Sequence, residues 1–425
     1  MTAKQRNIMG VLFLVLGIAY AISPFFKEVT VGRHIDARHF YVNGVCWLSG
    51  KSPYNRDVYR DVYNFIMKNE TFRSVLPPSV AGATVYPPSF AIYTMPSALF
   101  AWDIGKYYFD FMNVCFLLTI IFFLTRLLKD LPSTQANVGK IGVVIGLGCF
   151  ISAVPATIFT GQLSLLALAG CLGAFYFSER KQFFIAGLFV VLASMKPHIT
   201  LLFVIYLFIR QRDWRFFGWS SLLVGITFLG ILIMIGDLNP IPDILANLQF
   251  YSREEGFQPF YRIPGLTYFM GDLMAKLGIS RAILILLGLM IVTALALWFR
   301  KMSTVSNNQE ASETWVNHKK EQGFLEMAFI FSVTALFMPL HGYDYSFFFT
   351  VVILLAIVRW NLAMWLIPGI ILVARPGNMA NVLTRVTEMP VSGNLLASLG
   401  VIYLTLTIAI LIWKLRSEAL EAIQH

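Results

Sequence analysis

The stretch VGRHIDARHFYVNGVCWLSGKSPYN, Val31 to Asn55, is the first polar segment after the long apolar run Ile8 to Phe26. A run of about twenty residues is long enough for a helix to cross a bilayer. It is also too long, and too poorly ended by small residues, for a cleaved signal peptide. Asp36 stands about ten residues beyond the run, which places it at the membrane surface, where a carboxylate is costly and therefore informative. After it Ala37, Tyr41, Val45 and Leu48 recur at helical spacing with Phe40 and Trp47 beside them, predicting an amphipathic helix that lies on the bilayer. Gly50 and Ser52-Pro53 close that helix. Taken alone, Asp36 reads either as a helix N-cap or as a reactive carboxylate.

The rest of the chain is apolar. Its 425 residues are 57% hydrophobic and 13% charged, against about 25% charge in soluble domains, and its mean hydropathy is +0.68. The fold class expected is all-α, a polytopic transmembrane helical bundle. The net charge of +10 comes from cations scattered at the ends of apolar runs, a pattern that orients spans and does not describe a nucleic-acid surface. Cys46, Cys115, Cys149 and Cys171 form no CxxC, and three of them lie in apolar runs, so neither a disulfide framework nor a zinc site is expected.

Runs able to cross follow at Tyr107 to Leu124, Ile141 to Phe159, Leu163 to Phe177, Phe183 to Ile209, Phe216 to Ile235, Ala282 to Phe299, Phe324 to Leu340, Phe347 to Val358, Leu362 to Ala374 and Leu395 to Trp413. In the loop before them, Val58, Val62, Phe65 and Ile66 oppose Arg56, Arg60, Asp61 and Lys68, a second surface-lying piece. Pro87 to Trp102 is short and broken by Pro87, Pro88 and Pro96. Arg126, Lys129, Lys140, Arg180 and Lys181 flank connections that belong in the cytoplasm, so this stretch does not cross and is juxtamembrane or re-entrant. Arg210, Arg212 and Arg215 likewise require an even number of crossings within Phe183 to Ile209, with Lys196-Pro197 at the midpoint. Two arms of about thirteen residues reach roughly 20 Å at 1.5 Å per residue, which sinks Lys196 inside the outer leaflet, where it needs an anion. Gly236 to Arg281 is a second outer loop, Arg300 to Gly323 a flexible cytoplasmic connection, and His341 falls at an outer turn. No internal repeat is visible, unlike many carriers. Two modules are expected, 7–240 with its outer loop 27–106, and 241–425 with the cytoplasmic loop 300–323.

Asp36 with Tyr41, Gly50, Pro53 and Tyr54, VYPPSF at Val85 to Phe90, TGQLSLL at Thr160 to Leu166, AGLFVVLASMKPH at Ala186 to His198 and MPLHGYDY at Met338 to Tyr345 together resemble the GT-C superfamily of membrane glycosyltransferases. Within it they resemble glycosyltransferase family 87, the polyprenyl-phosphate-mannose-dependent alpha-mannosyltransferases. The resemblance covers most of the chain and lies in the order of short pieces. It implies a GT-C bundle of about eleven to thirteen spans in a bacterial plasma (inner) membrane, both termini cytoplasmic and the active site on the outer side. It implies a polyprenyl-phosphate sugar donor and a lipid or glycan acceptor, with Asp36 matching the family's aspartate after the first span.

Such a donor already carries a competent leaving group, so one base suffices and inversion follows. The departing phosphate needs cations. Lys196 is the first candidate, against a snorkelling lysine; His341, Arg262 and Arg253 are others, against solvated surface residues. Gln162 is placed to bind a sugar hydroxyl or merely to start a helix. Tyr41, Tyr54, Tyr86 and Trp47 are placed to stack on a sugar ring or to serve as interfacial belt residues. No DxD, GxGxxG or GxxxxGK[ST] appears, so neither a nucleotide cofactor nor a metal is expected. The rival readings are a carrier or flippase of a lipid-linked or anionic substrate, using Lys196 and Asp36 as ligands, and a lipid-linked glycan polymerase or ligase. The orientation is testable directly. A single cysteine at Ser133 in a cysteine-free variant is expected to resist an impermeant thiol reagent added from outside; labelling there would invert the assignment.

Overall fold

The computed structural model describes residues 2–26, 33–66, 83–131, 137–253, 264–277, 282–305, 313–338, 340–358 and 360–424, with helices and no strand among them. The first half runs α1 (Ala3–Ile22), α2 (Ile35–Leu48), α3 (Arg56–Ile66), α4 (Ala91–Thr94), α5 (Trp102–Lys129), α6 (Val138–Cys149), α7 (Ala153–Thr160), α8 (Ser164–Glu179), α9 (Phe183–Ser194), α10 (Pro197–Gln211) and α11 (Trp214–Ile235). The second half runs α12 (Ile241–Arg253), α13 (Leu266–Lys276), α14 (Ala282–Val305), α15 (Glu313–Phe337), α16 (Phe349–Ile357), α17 (Trp360–Ala363), α18 (Ile367–Ala374), α19 (Pro376–Thr387) and α20 (Gly393–Gln424). Ala3–Phe26, Trp102–Lys129, Trp214–Ile235 and Gly393–Leu415 are each long and apolar enough to cross a membrane. Phe217, Leu222, Ile226, Leu229 and Ile233 stand exposed along α11, as side chains facing lipid do. The chain is an all-α helical membrane protein.

Glycine sets how tightly the first span docks. A Cβ on Gly139 would lie 2.4 Å from the Arg6 carbonyl oxygen, one on Gly142 2.5 Å from that of Gly10, and one on Gly146 2.3 Å from that of Phe13. Backbone therefore meets backbone between α1 and α6, the close approach that small residues permit inside membranes.

Breaks in the helices bring the polar residues together. The run Ile141 to Phe159, read as one span, is bent by 53° between α6 and α7. Pro155 has no N–H to continue an unbroken helix, so α7 starts afresh at Ala153, and Ser152 donates its N–H to the Ala374 carbonyl at 2.8 Å. Gly161 ends α7 with φ +75, and a Cβ there would lie 2.6 Å from that of Ala37; a residue without a side chain lets α2 lie directly on this turn. Lys196 separates α9 from α10, whose first residue is Pro197. The residue before a proline is pushed out of helical geometry. At the far end Arg210 Nε donates to Glu179 Oε1 at 2.9 Å and Gln211 Nε2 to Ser178 Oγ at 3.1 Å, so α10 finishes beside the end of α8, just before α9 begins. The pair is a hairpin with Lys196 at its apex.

Pro87 to Trp102 is a chain of short turns, Pro88–Phe90, Ala91–Thr94 and Met95–Leu99. Two expectations are corrected. α2 does not rest on one face: Ala37, Phe40, Tyr41, Val42, Asn43, Gly44, Cys46 and Trp47 are buried while Leu48 is exposed. The turns after Pro88 and the long α5 close over it, which helical spacing alone does not reveal. In α3 Tyr59 is buried, while Phe65 on the apolar face stands 82% exposed. The connection Arg300 to Gly323 is largely helical, since α14 runs to Val305 and α15 begins at Glu313; helical hydrogen bonds are local, and Glu, Gln and Lys are good helix formers outside an apolar run too.

Gly142→Val is expected to lower thermal stability in detergent by at least 2 kcal/mol through overpacking, whereas Gly225→Ala, where a new Cβ meets nothing within 4 Å, should be neutral. Equal stability of both variants would contradict the packing described for α1 and α6.

Candidate active site

Polar side chains from four places meet at one buried point: the first turn of α2, the α7–α8 turn, the Lys196 apex, and the tight turn Gly342–Phe348 that precedes α16. The start of α2 is firmly held. His34 adopts the left-handed conformation (φ 59) and donates its N–H to the Phe159 carbonyl at 2.9 Å. Its ring and the Arg33 guanidinium both lie 2.9 Å from Asp110 Oδ2, and Arg33 also donates to the Phe25 carbonyl at 3.2 Å. His34, and not Asp36, occupies the N-cap position. The capping alternative for Asp36 therefore fails, and its side chain turns inward.

The Asp36 carboxylate lies beside the side chains of Gln162 and Thr160, and the Thr160 hydroxyl donates to the Ala156 carbonyl at 3.1 Å. Asp36 sits deep in the protein yet keeps part of its surface open. Burial pushes its carboxyl up from 3.8 to about 6; Lys196 and the neighbouring polar side chains of Gln162 and Thr160 restrain the rise, and Asp344 adds to it. No cation lies within ion-pair distance of it among the described residues.

Lys196, 1% exposed, donates to Gln162 Oε1 at 3.1 Å, to Ser164 Oγ at 2.9 Å and to Asp344 Oδ1 at 2.5 Å. Its ammonium lies 4.9 Å from the Tyr343 ring centroid. Ser164 donates its own proton to Asp344 Oδ1 at 2.7 Å. The other Asp344 oxygen accepts the His341 N–H at 3.0 Å and lies 4.0 Å from His198 Nε2. Burial alone would raise the Asp344 carboxyl, but Lys196, His198 and His341 outweigh it and hold the group below the usual carboxylate range. Two carboxylates thus share one cluster with different surroundings. Asp344 is locked in an ion pair, whereas Asp36 has no ion-pair partner among the described residues and keeps part of its surface open.

Of the residues singled out from the sequence, Asp36, Gln162, Lys196 and His341 come together here. Tyr86 stands beside them, its ring 4.6 Å from that of Phe90 and its hydroxyl electrostatically felt by Tyr343. Tyr54 is set back: it is 1% exposed, packs on Trp47, and donates its hydroxyl to the Tyr86 carbonyl at 2.8 Å, so it supports the wall. Tyr41 and Trp47 are buried in the same packing. Arg253 ends α12, its side chain lying beyond what is described, and Arg262 lies outside the described residues. Thr160, Ser164, His198, Tyr343 and Asp344 are additions. Asp344 carries the signal that singled out Asp36, a carboxylate at the mouth of an apolar run. Nothing in the sequence ties Arg33 and His34 to Asp110, 77 and 76 positions away.

Asp110→Ala removes the anion that two buried groups share. It is expected to cost about 3 kcal/mol, read as a fall in thermal unfolding temperature of the purified chain; an unchanged unfolding curve would show that this cluster does not hold α2.

A family model described as Glycosyltransferase family 87 matches residues 84–316, more than half of the 425 residues. The matched region contains Gln162 and Lys196, while Asp36 and the turn with His341 and Asp344 flank it. No curated protein and no solved structure is significantly similar to the chain.

Proposed function

The chain belongs to glycosyltransferase family 87, and we propose that it transfers a hexose, mannose in particular, from a polyprenyl-phosphate donor to a lipid or glycan acceptor on the outer face of the membrane, with inversion and with Asp36 as general base. The observation that carries this reading is the contrast between the two carboxylates. A base must lie open to substrate and have a proton affinity matched to its task; Asp36 fits, and Asp344, saturated by Lys196, Ser164 and the His341 N–H, does not. The acceptor hydroxyl oxygen attacks the anomeric carbon as its proton passes to Asp36. The bond from that carbon to the phosphate oxygen breaks on the opposite face, and the phosphate leaves with the electron pair.

A phosphate needs no protonation to leave, so no second acid is required. Its growing charge calls for N–H donors or cations. His341, partly open beside the cluster, and the loop residues Arg253 and Arg262 are our candidates, and Lys196 adds positive charge nearby. The orientation is supported by the two ends of the hairpin: Arg180 and Arg210 gather at the feet of α9 and α10, opposite the Lys196 apex, as the positive-inside rule asks of a cytoplasmic end.

The test is transfer of label from radiolabelled polyprenyl-phosphate mannose by the purified chain in detergent. Asp36→Asn should reduce it by roughly 10² to 10⁴ with donor affinity kept, and a beta-linked donor should give an alpha-linked product. A carrier would give no product at all, and retention of configuration would overturn the single displacement. The acid limb of kcat/KM should also follow Asp36. The carboxylate is the active form, so the rate constant is level well above pH 6 and falls about tenfold per unit below it. A profile flat down to pH 4.5 would remove Asp36 from the role of base.

A further inference from the structure

Lys196 invites a role as phosphate ligand, yet its ammonium has three N–H donors and all three are taken, by Gln162 Oε1, Ser164 Oγ and Asp344 Oδ1. At 1% exposure it has no face left for an incoming anion. Its bond to Gln162 has a consequence for the base. Gln162 Oε1 accepts from Lys196 and also from the Leu163 N–H at 3.1 Å. With two donors on the oxygen, the amide cannot flip without facing N–H against N–H, so its NH₂ is committed to the other side. There it meets Asp36 and the Tyr343 hydroxyl. The amide oxygen is fully used, and Gln162 stands between the Lys196–Asp344 pair and Asp36.

From this geometry we propose that Lys196 is a positioning residue, locking the Gln162 amide so that its NH₂ aims Asp36 at the acceptor, and that the donor phosphate is met by other groups. The inference deepens the transferase reading and rests on it for the word acceptor. The locking itself concerns only side chains of this chain. Removing the ammonium takes away both the lock and the nearest positive charge acting on Asp36. The other charged or titratable groups around Asp36 are His198 beside Lys196, His341 and Tyr343 on the Gly342–Phe348 turn, Tyr86 on the wall, Arg38 and His39 on α2 itself, and the Arg33, His34 and Asp110 cluster behind it. Each stays in place in a variant at position 196.

The experiment titrates Asp36 by infrared difference spectroscopy on the full-length chain in detergent, with Asp36→Asn identifying its carbonyl band. In Lys196→Met the protonation midpoint of Asp36 should rise by one unit or more from its wild-type position near pH 6, and Lys196→Arg, which keeps the charge, should return most of the shift. In Asp344→Asn the midpoint should move down, since a repelling carboxylate is gone and the ammonium is released from it. This opposite sign keeps the test decisive if Lys196→Met folds poorly. Affinity for polyprenyl-phosphate mannose should stay within threefold of wild type in Lys196→Met, with the acid limb of kcat/KM shifting alongside the infrared midpoint. A tenfold or greater loss of donor affinity with an unmoved Asp36 band would overturn the proposal and return Lys196 to the phosphate. Failure of the wild-type chain to bind that donor at all would instead refute the proposed donor and leave the infrared comparison standing as the test of the lock.

Discussion

A lysine ammonium held inside an apolar bundle must find an acceptor for every N–H and an anion for its charge, because an unpaired charge there costs several kcal/mol. Lys196 meets that condition with Gln162, Ser164 and Asp344, and to do so it draws three distant pieces of chain to one point. The α7–α8 turn brings Gln162 and Ser164, the hairpin brings Lys196, and the turn before α16 brings Asp344. Asp344 comes from the second half of the chain and Asp36 from the first turn of α2, so residues far apart in the sequence share the cluster.

The same logic recurs one layer back. Asp110 answers both Arg33 and His34, and the His34 N–H is anchored on Phe159, immediately before Thr160, which reaches Asp36. The first turn of α2 is thus fixed from two sides before its carboxylate does anything. Gly161 completes the arrangement from the other direction, since a side chain at that position would push α2 away. Two buried ionic clusters on either side of α2 settle the geometry of its first turn in advance. The difference between them is exposure: the Asp110 cluster is closed, whereas Asp36 keeps an open edge.

How far the sequence alone reached can be judged from particular residues. Composition determined a helical membrane bundle, because 57% hydrophobic residues cannot be accommodated otherwise. Pro87, Pro88, Pro96 and Pro197 marked breaks that the structure contains, since proline acts on its own neighbours and needs no tertiary context. The distribution of cations placed Lys196 at a hairpin apex, and position beyond the first span singled out Asp36. Such properties are local or additive along the chain, and a sequence displays them directly. What only the tertiary structure decided is which charges meet. In sequence Lys196 is a lone cation, and its three partners lie 34, 32 and 148 positions away; nothing local marks Asp344 as its counter-ion, and the enclosure of α2 depends on segments folding over it. Pairing of buried charges is set by three-dimensional proximity and by the removal of water, and neither leaves a periodic trace in the order of residues.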